Sequence, residues 1–325
     1  MSIRTSHVGS FPLRYSPENV RQVLSDLASI GIDAPPYPQL RDFVDIYLRP
    51  LLNAGLLSES KGAYFADLRM IHELLLPKPK IPEAELFIQY MREERLGFKW
   101  LRAPVTGPFT LASRINIIGS TAGDLRTTLL SRRDILLNVL VPYIKSFINY
   151  LTSLGYNVVF IDEPILGVIV GKRRILFGYR EEDIGNVIDE LFEGVPGEHG
   201  IHVCGRISGR LFRLLSGIKT LNILNFEFHD SPQNFEVIDR RQLEDNNKFL
   251  APGIASSKKP IVEDLSELRE IFSKAYRVAG GRVDLVSADC GYGGLRGALG
   301  SDIEAYIIGL EKLRRIITVV RELGE

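Results

Sequence analysis

Cysteine is nearly missing from this chain. Its 325 residues include two, Cys204 and Cys290, alongside five histidines and one tryptophan. Two thiols cannot staple a disulfide-dense extracellular fold. Net charge is missing too: forty Lys and Arg balance forty Asp and Glu, which leaves no electrostatic case for nucleic acid or an anionic membrane as partner. No uncharged apolar run reaches the ~18–20 residues that a membrane span requires; "NVVFIDEPILGVIVG" is broken by Asp162 and Glu163. The N-terminal "MSIRTSHVGSFPLRYS" lacks the apolar centre of a signal peptide. These absences point to a cytoplasmic protein in a reducing compartment. Low-complexity tracts, fixed-period repeats and linker-like boundaries are also lacking, so residues 1–325 read as one domain.

What is present is alternation. Short apolar and β-branched runs at 4–9, 62–66, 98–103, 157–162, 200–205, 221–227, 248–255 and 282–289 read as strands. Between them, 122–153, 262–279 and 301–323 carry apolar residues at helical spacing, the last opening at an N-cap-like Ser301-Asp302. Eight strands separated by helices predict an α/β fold, a (β/α)8 TIM barrel. Residues 11–60 hold more helix than one crossover needs, so an N-terminal helical elaboration is expected.

In such barrels the catalytic groups sit at the C-terminal ends of the strands. Collected there are His7, Ser10, Thr106, Asp162, Glu163, His202, Cys204, Glu227, Ser256, Lys258, Asp289 and Cys290. Residues two apart on a strand share a face, so His202 and Cys204 can reach one ion. Glu227 ends the next strand and Cys290 ends the last. Two buried cysteines are ordinarily small apolar fillers. Two at strand ends, one of them beside a histidine on the same strand and with a carboxylate ending a third, instead suit Zn2+ bound by His202, Cys204, Glu227 and Cys290. Ligands drawn from three separate strands suit a catalytic ion, since structural zinc usually sits in a small loop with close cysteine pairs.

With these residues assembled, the chain resembles the catalytic, C-terminal domain of the cobalamin-independent methionine synthases. The resemblance rests on "HVGSFP" (7–12), "TGPFTLA" (106–112), "FIDEP" (160–164), "HVCG" (202–205), "NFE" (225–227), "APGI" (251–254) and "ADCG" (288–291). It implies that the four ligands hold zinc and that zinc binds the sulfur of L-homocysteine. It also implies that Val8, Gly9 and Ser10 hold the substrate carboxylate and that Asp162 holds its ammonium group. A thiol of pKa ~8.5 is a poor nucleophile at neutral pH, and zinc coordination deprotonates it.

The departures from the family pattern are equally specific. The tryptophan and glutamate of its folate-using members match Arg114 and Val168 here, and their proton-donating histidine matches Lys258, the candidate catalytic residue. The family's N-terminal barrel has no counterpart in this sequence. A second substrate-binding glutamate has none either, Asp67 being a weak candidate. The pattern resembles the short, folate-independent "core" methionine synthases and implies a methylated corrinoid protein as methyl donor. Methylation of another thiol, such as coenzyme M, and a split folate-dependent synthase are the alternatives. "GKRRILFGYR" (171–180) puts a basic stretch at the same rim, and "GYGG" (291–294) reads as the turn that frees Cys290. His7 and His229 have a substrate-side or zinc-supporting role as one reading and ordinary packing as the other.

Overall fold

Eight strands are named among the described residues: β1 (Ser58–Ser60), β2 (Ala63–Ala66), β3 (Arg102–Thr106), β4 (Ile115–Ile117), β5 (Val158–Asp162), β6 (Glu198–Val203), β7 (Ile223–Glu227) and β8 (Phe249–Gly253). The computed structural model describes residues 2–69 and 76–324. Five of the strands form one parallel sheet in the order β3-β5-β6-β7-β8. Every residue of β3, β5 and β7 is buried, as expected of parallel strands covered on both faces.

Three extended segments complete the ring through isolated bridges. Residues 34–39 join β3 at Pro36↔Arg102 and join residues 4–10 at Ser6↔Ala34 and Ser10↔Gln39; residues 283–287 then link Thr5 to β8 through Thr5↔Val286, Leu250↔Val283 and Gly253↔Ser287. Five strands and three extended segments therefore make the staves of a closed (β/α)8 barrel.

The second stave is not the one expected. Residues 63–66 pair instead with β1 and β4 in a small sheet outside the ring. The true stave, 34–39, holds Pro35, Pro36 and Pro38, and proline argues against a strand because it cannot donate to the ladder. Here the donors needed are at the other positions. Ala34 N–H donates to Thr5 O, Tyr37 N–H to Arg102 O and Gln39 N–H to Gly9 O. The third stave is displaced as well, running over 102–106 rather than 98–103.

The helices Leu265–Val278 and Asp302–Leu323 lie where expected, and Ser301 caps the second by accepting from Glu304 N–H. The expected helix over 122–153 is divided. Two single 3-10 turns come first, and the helical run begins at Arg133. Its wide turn at Leu136–Leu140 comes just before Pro142, whose missing N–H cannot close an ordinary helical bond. Arg133–Leu154 is apolar and long enough to cross a membrane by composition alone, but Tyr143, Ile144, Phe147, Ile148 and Leu151 are buried within the protein. The N-terminal elaboration is helical as expected, with Pro17–Ile30 and Asp45–Asn53.

Inside the barrel, one glycine is required by packing. A Cβ on Gly200 would fall 2.3 Å from ring atoms of Phe160 on the neighbouring strand. Gly200→Ala should therefore destabilise the fold by about 1–3 kcal/mol through overpacking, read as a lowered midpoint in denaturant titration; an unchanged midpoint would show that the Phe160 ring can move aside.

Candidate active site at the barrel mouth

Parallel register puts the chemistry-bearing residues side by side. Thr106 pairs with Asp162, Asp162 with His202, and Glu227 with Gly253. Gly253 lets the last stave close in, since a Cβ there would lie 2.4 Å from Asp289 Cα. Asp289 in turn ties two rims together. Its carboxylate accepts from the N–H groups of Phe228, His229 and Asp230, immediately after Glu227 and immediately before Cys290.

Three of the four expected ligands meet. His202 Nε2 lies 2.9 Å from Cys204 Sγ, which lies 3.0 Å from Cys290 Sγ, and all three atoms fall within 4.8 Å of one another. The two cysteines are free thiols. The hydrogen bond from Cys204 and the neighbouring His202 hold Cys290 well below the ordinary thiol range, while the same contact with Cys290, together with burial, pushes Cys204 up. Burial opposes a charge on His202, yet the Cys290 sulfur and Asp162 raise its pKa above the usual value.

Glu227 lines the same cavity but stands outside this tight group. Its Oε2 is 3.3 Å from Lys258 Nζ and accepts from Ser231 Oγ at 3.2 Å. Lys258 is itself placed by Ser256, whose Oγ accepts from Lys258 N–H; its ammonium is largely exposed at the mouth.

The cavity has a volume of about 510 Å3, and its walls include Val8, Ser10, Asp162, His202, Cys204, Glu227, Lys258 and Cys290. Gly9 sits behind Val8 and Ser10 at φ 138, where a Cβ would strike Pro104 at 2.6 Å. Ser10 Oγ accepts from Gly293 N–H, and Gly291 leaves it room, because a Cβ there would be 2.0 Å from that oxygen. The "GYGG" stretch is indeed a tight turn, a 3-10 helix over Tyr292–Leu295. Asp162 is buried with Oδ1 unpaired, and burial pushes its pKa up to about 7 against the pull of His202 and Arg102.

Gln39 was missed in the sequence. It ends the proline-rich stave, lines the cavity and keeps a buried, unpaired Nε2; no sequence signal marked it once that stave was assigned elsewhere. Asp67 does not line this cavity: it directly follows β2 of the side sheet and is bound by Arg69. His7 is fully buried between Phe11 and Tyr292, and burial lowers its pKa to about 3, so it stays neutral. His229 turns away to Asp230 and Glu267. Arg114 and Val168 are exposed and lie outside the cavity lining.

Frame and rim together define a (β/α)8 barrel with a buried imidazole–dithiol group in the cavity at its C-terminal mouth. Proteins of known kind share both sequence and frame with it. The methionine synthase of Methanothermobacter thermautotrophicus is 26% identical over 199 residues, 61% of this chain and 58% of that protein, so the match spans less than two thirds of the relative. A B12-independent methionine synthase from Shewanella sp. W3-18-1, solved in complex with selenomethionine, superposes with a TM-score of 0.72 at 14% identity, covering 99% of this chain and 98% of that one. A methyltransferase from Methanosarcina mazei superposes at 0.69 and 13% identity, covering 100% and 95%. No family model matches the chain. The chain resembles the cobalamin-independent methionine synthases, and the barrel is their fold.

Proposed function

We propose that this protein is a zinc-dependent methyltransferase that converts L-homocysteine to L-methionine with a methylated corrinoid protein as donor. The observation that carries this reading is the convergence of His202 Nε2, Cys204 Sγ and Cys290 Sγ within 4.8 Å in a cavity that also exposes Ser10 and Asp162. Two thiols and an imidazole form a soft donor set that suits zinc and disfavours magnesium or calcium. His202, Cys204 and Cys290 would hold the ion, with Glu227 as the replaceable oxygen ligand. Zinc, when bound, supplies the positive charge that deprotonates the incoming thiol and keeps it nucleophilic at neutral pH.

The chain's own residues do the rest. In the segment Val8, Gly9 and Ser10, Val8 and Ser10 line the cavity and the Ser10 hydroxyl is available to the substrate carboxylate, while Gly9, its N–H donated to His7 Nδ1, holds the turn behind them. Asp162, whose Oδ1 is buried without a partner, takes the α-ammonium and is held ionised by it. Lys258 retains the Glu227 carboxylate at the mouth. The substrate sulfur is thereby aimed outward, where a donor can present its methyl carbon in line. The sulfur forms its bond to that carbon as the cobalt–carbon bond breaks. The bonding pair stays on cobalt and the thiol proton passes to solvent.

The test is methyl transfer from methylcobalamin, comparing homocysteine with coenzyme M as acceptors. Asp162→Asn should weaken homocysteine binding by about 1.5–3 kcal/mol, the range for a hydrogen bond to a charged group, or about 10- to 150-fold. It should leave acceptors without an amino group unaffected. Coenzyme M methylated faster than homocysteine by the wild type would overturn the assignment of substrate.

A further inference from the structure

We infer that Arg102, buried inside the barrel, is the counter-charge that stabilises the anionic metal-binding state of the site at the mouth. The inference rests on the metal-site reading above. Arg102 opens β3 and is the largest fully buried side chain among the described residues. Its guanidinium crosses the barrel interior. It lies 3.8 Å over the ring of Phe160 on β5, and Nη2 donates to Asn225 Oδ1 on β7 at 3.3 Å. Asn225 is fixed in turn, its Nδ2 donating to Ala251 O at 2.6 Å. Arg102 Nε and Nη1 meet no acceptor, and no carboxylate among the described residues forms a salt bridge with it.

That arrangement is costly unless something offsets it, because an ion removed from water without a partner is strongly disfavoured. Arg4, which is not fully buried, is by contrast gripped by both Asp284 and Glu198. The bond from Arg102 to Asn225, two residues before the end of β7 at Glu227, carries the guanidinium to the level of His202, the register neighbour of Asn225 on β6. Burial lowers the Arg102 pKa only to about 10, so it stays charged at neutral pH.

The charge count explains its retention. Cys204, Cys290 and Glu227 as ligands, with Asp162 when ionised, bring four negative charges against the two positive charges of zinc and the one of Lys258 beside Glu227, which leaves one in excess. A fixed cation behind the site offsets part of this excess, and the low-dielectric interior keeps its field from being screened. Phe160 presents its negative face to the guanidinium from the other side, and Gly200 makes room for that ring. Arg102 therefore acts through the ligands and is a positioning residue in the electrostatic sense.

The test compares wild type, Arg102→Met, Arg102→Gln and Arg102→Lys by zinc affinity, measured in chelator competition, and by melting temperature with zinc and with EDTA. Arg102→Met and Arg102→Gln should bind zinc about 10- to 100-fold more weakly, the range for residues that support a metal's ligands. Their EDTA-treated forms should melt no lower than the wild type, since an unpaired buried ion has been removed. Arg102→Lys should bind zinc within about threefold of the wild type, because it keeps the charge. If Arg102→Met does not fold, the glutamine and lysine variants still give the contrast. Equal losses of melting temperature with and without zinc would reveal a packing role and overturn the inference, as would a lysine variant as weak as the glutamine one. A wild type that binds no zinc would instead overturn the metal-site reading beneath it.

Discussion

Cys290→Ser and Cys204→Ser proteins should bind zinc at least about 100-fold more weakly than the wild type and form no measurable methionine, with the fold intact by circular dichroism. Thiolates dominate zinc affinity, and each substitution removes one of the three donor atoms that the barrel brings within 4.8 Å. Both sulfurs would be thiolates on zinc, so the two losses should be comparable. Glu227→Gln should retain more metal than either, because Glu227 lies outside the tight group and is held by Lys258 and Ser231. Chelator competition on the purified variants measures all three. Full zinc occupancy in the double cysteine variant would remove the site.

The barrel class and the gathering of the candidate residues at its mouth were legible in the sequence; the position of the second stave was not. His202 and Cys204 lie two apart on a strand, so a period-2 backbone gives them one face without further information. Glu227 and Cys290 follow because residues at strand ends converge wherever a parallel barrel closes. The exception is instructive: Glu227 reaches the cavity but not the tight group, since pairing with Lys258 depends on a loop conformation that spacing does not encode. The second stave was hidden by composition. Three prolines in six residues argue against a strand, and only the partners show that Ala34, Tyr37 and Gln39 are the donors the ladder needs. With the second stave expected at 62–66, nothing in the sequence places Gln39 at the mouth, and Asp67, the weak counterpart of the family's second substrate-binding glutamate, falls outside the cavity. Arg102 was invisible for a different reason. With the third strand expected over 98–103 it falls near that strand's end, and only the displaced stave, which begins at Arg102, turns it into the closed barrel.

Methylcobalamin should support methionine formation, and methyltetrahydrofolate, mono- or triglutamate, should support none. Positions that match the folate-binding tryptophan and glutamate of the family carry Arg114 and Val168. The first is an exposed cation at the C-terminal end of the helix Pro108–Arg114. The second is an apolar side chain 57% exposed on the helix Pro164–Ile169. Neither lines the cavity, and neither offers a pterin ring what it needs, an aromatic face and a carboxylate for its ring nitrogens. A cavity of about 510 Å3 holds an amino acid and leaves a large macrocycle to approach from outside, with its methyl group directed at the sulfur. The leaving groups differ in one further respect. An amine leaving from folate needs a proton, which a neutral histidine–imidazolium couple can supply near neutral pH. Lys258 stands at the matching position, and its contact with Glu227 raises its pKa further, which makes it a poor acid. Cob(I)alamin departs with its electron pair and needs no proton at all. Arg114→Trp alone should therefore not create folate activity, because the proton and the ring-nitrogen partner would still be missing. The measurement is methionine produced from each donor at equal concentration without added protein partners; robust turnover with methyltetrahydrofolate would overturn the donor assignment while leaving the zinc site standing.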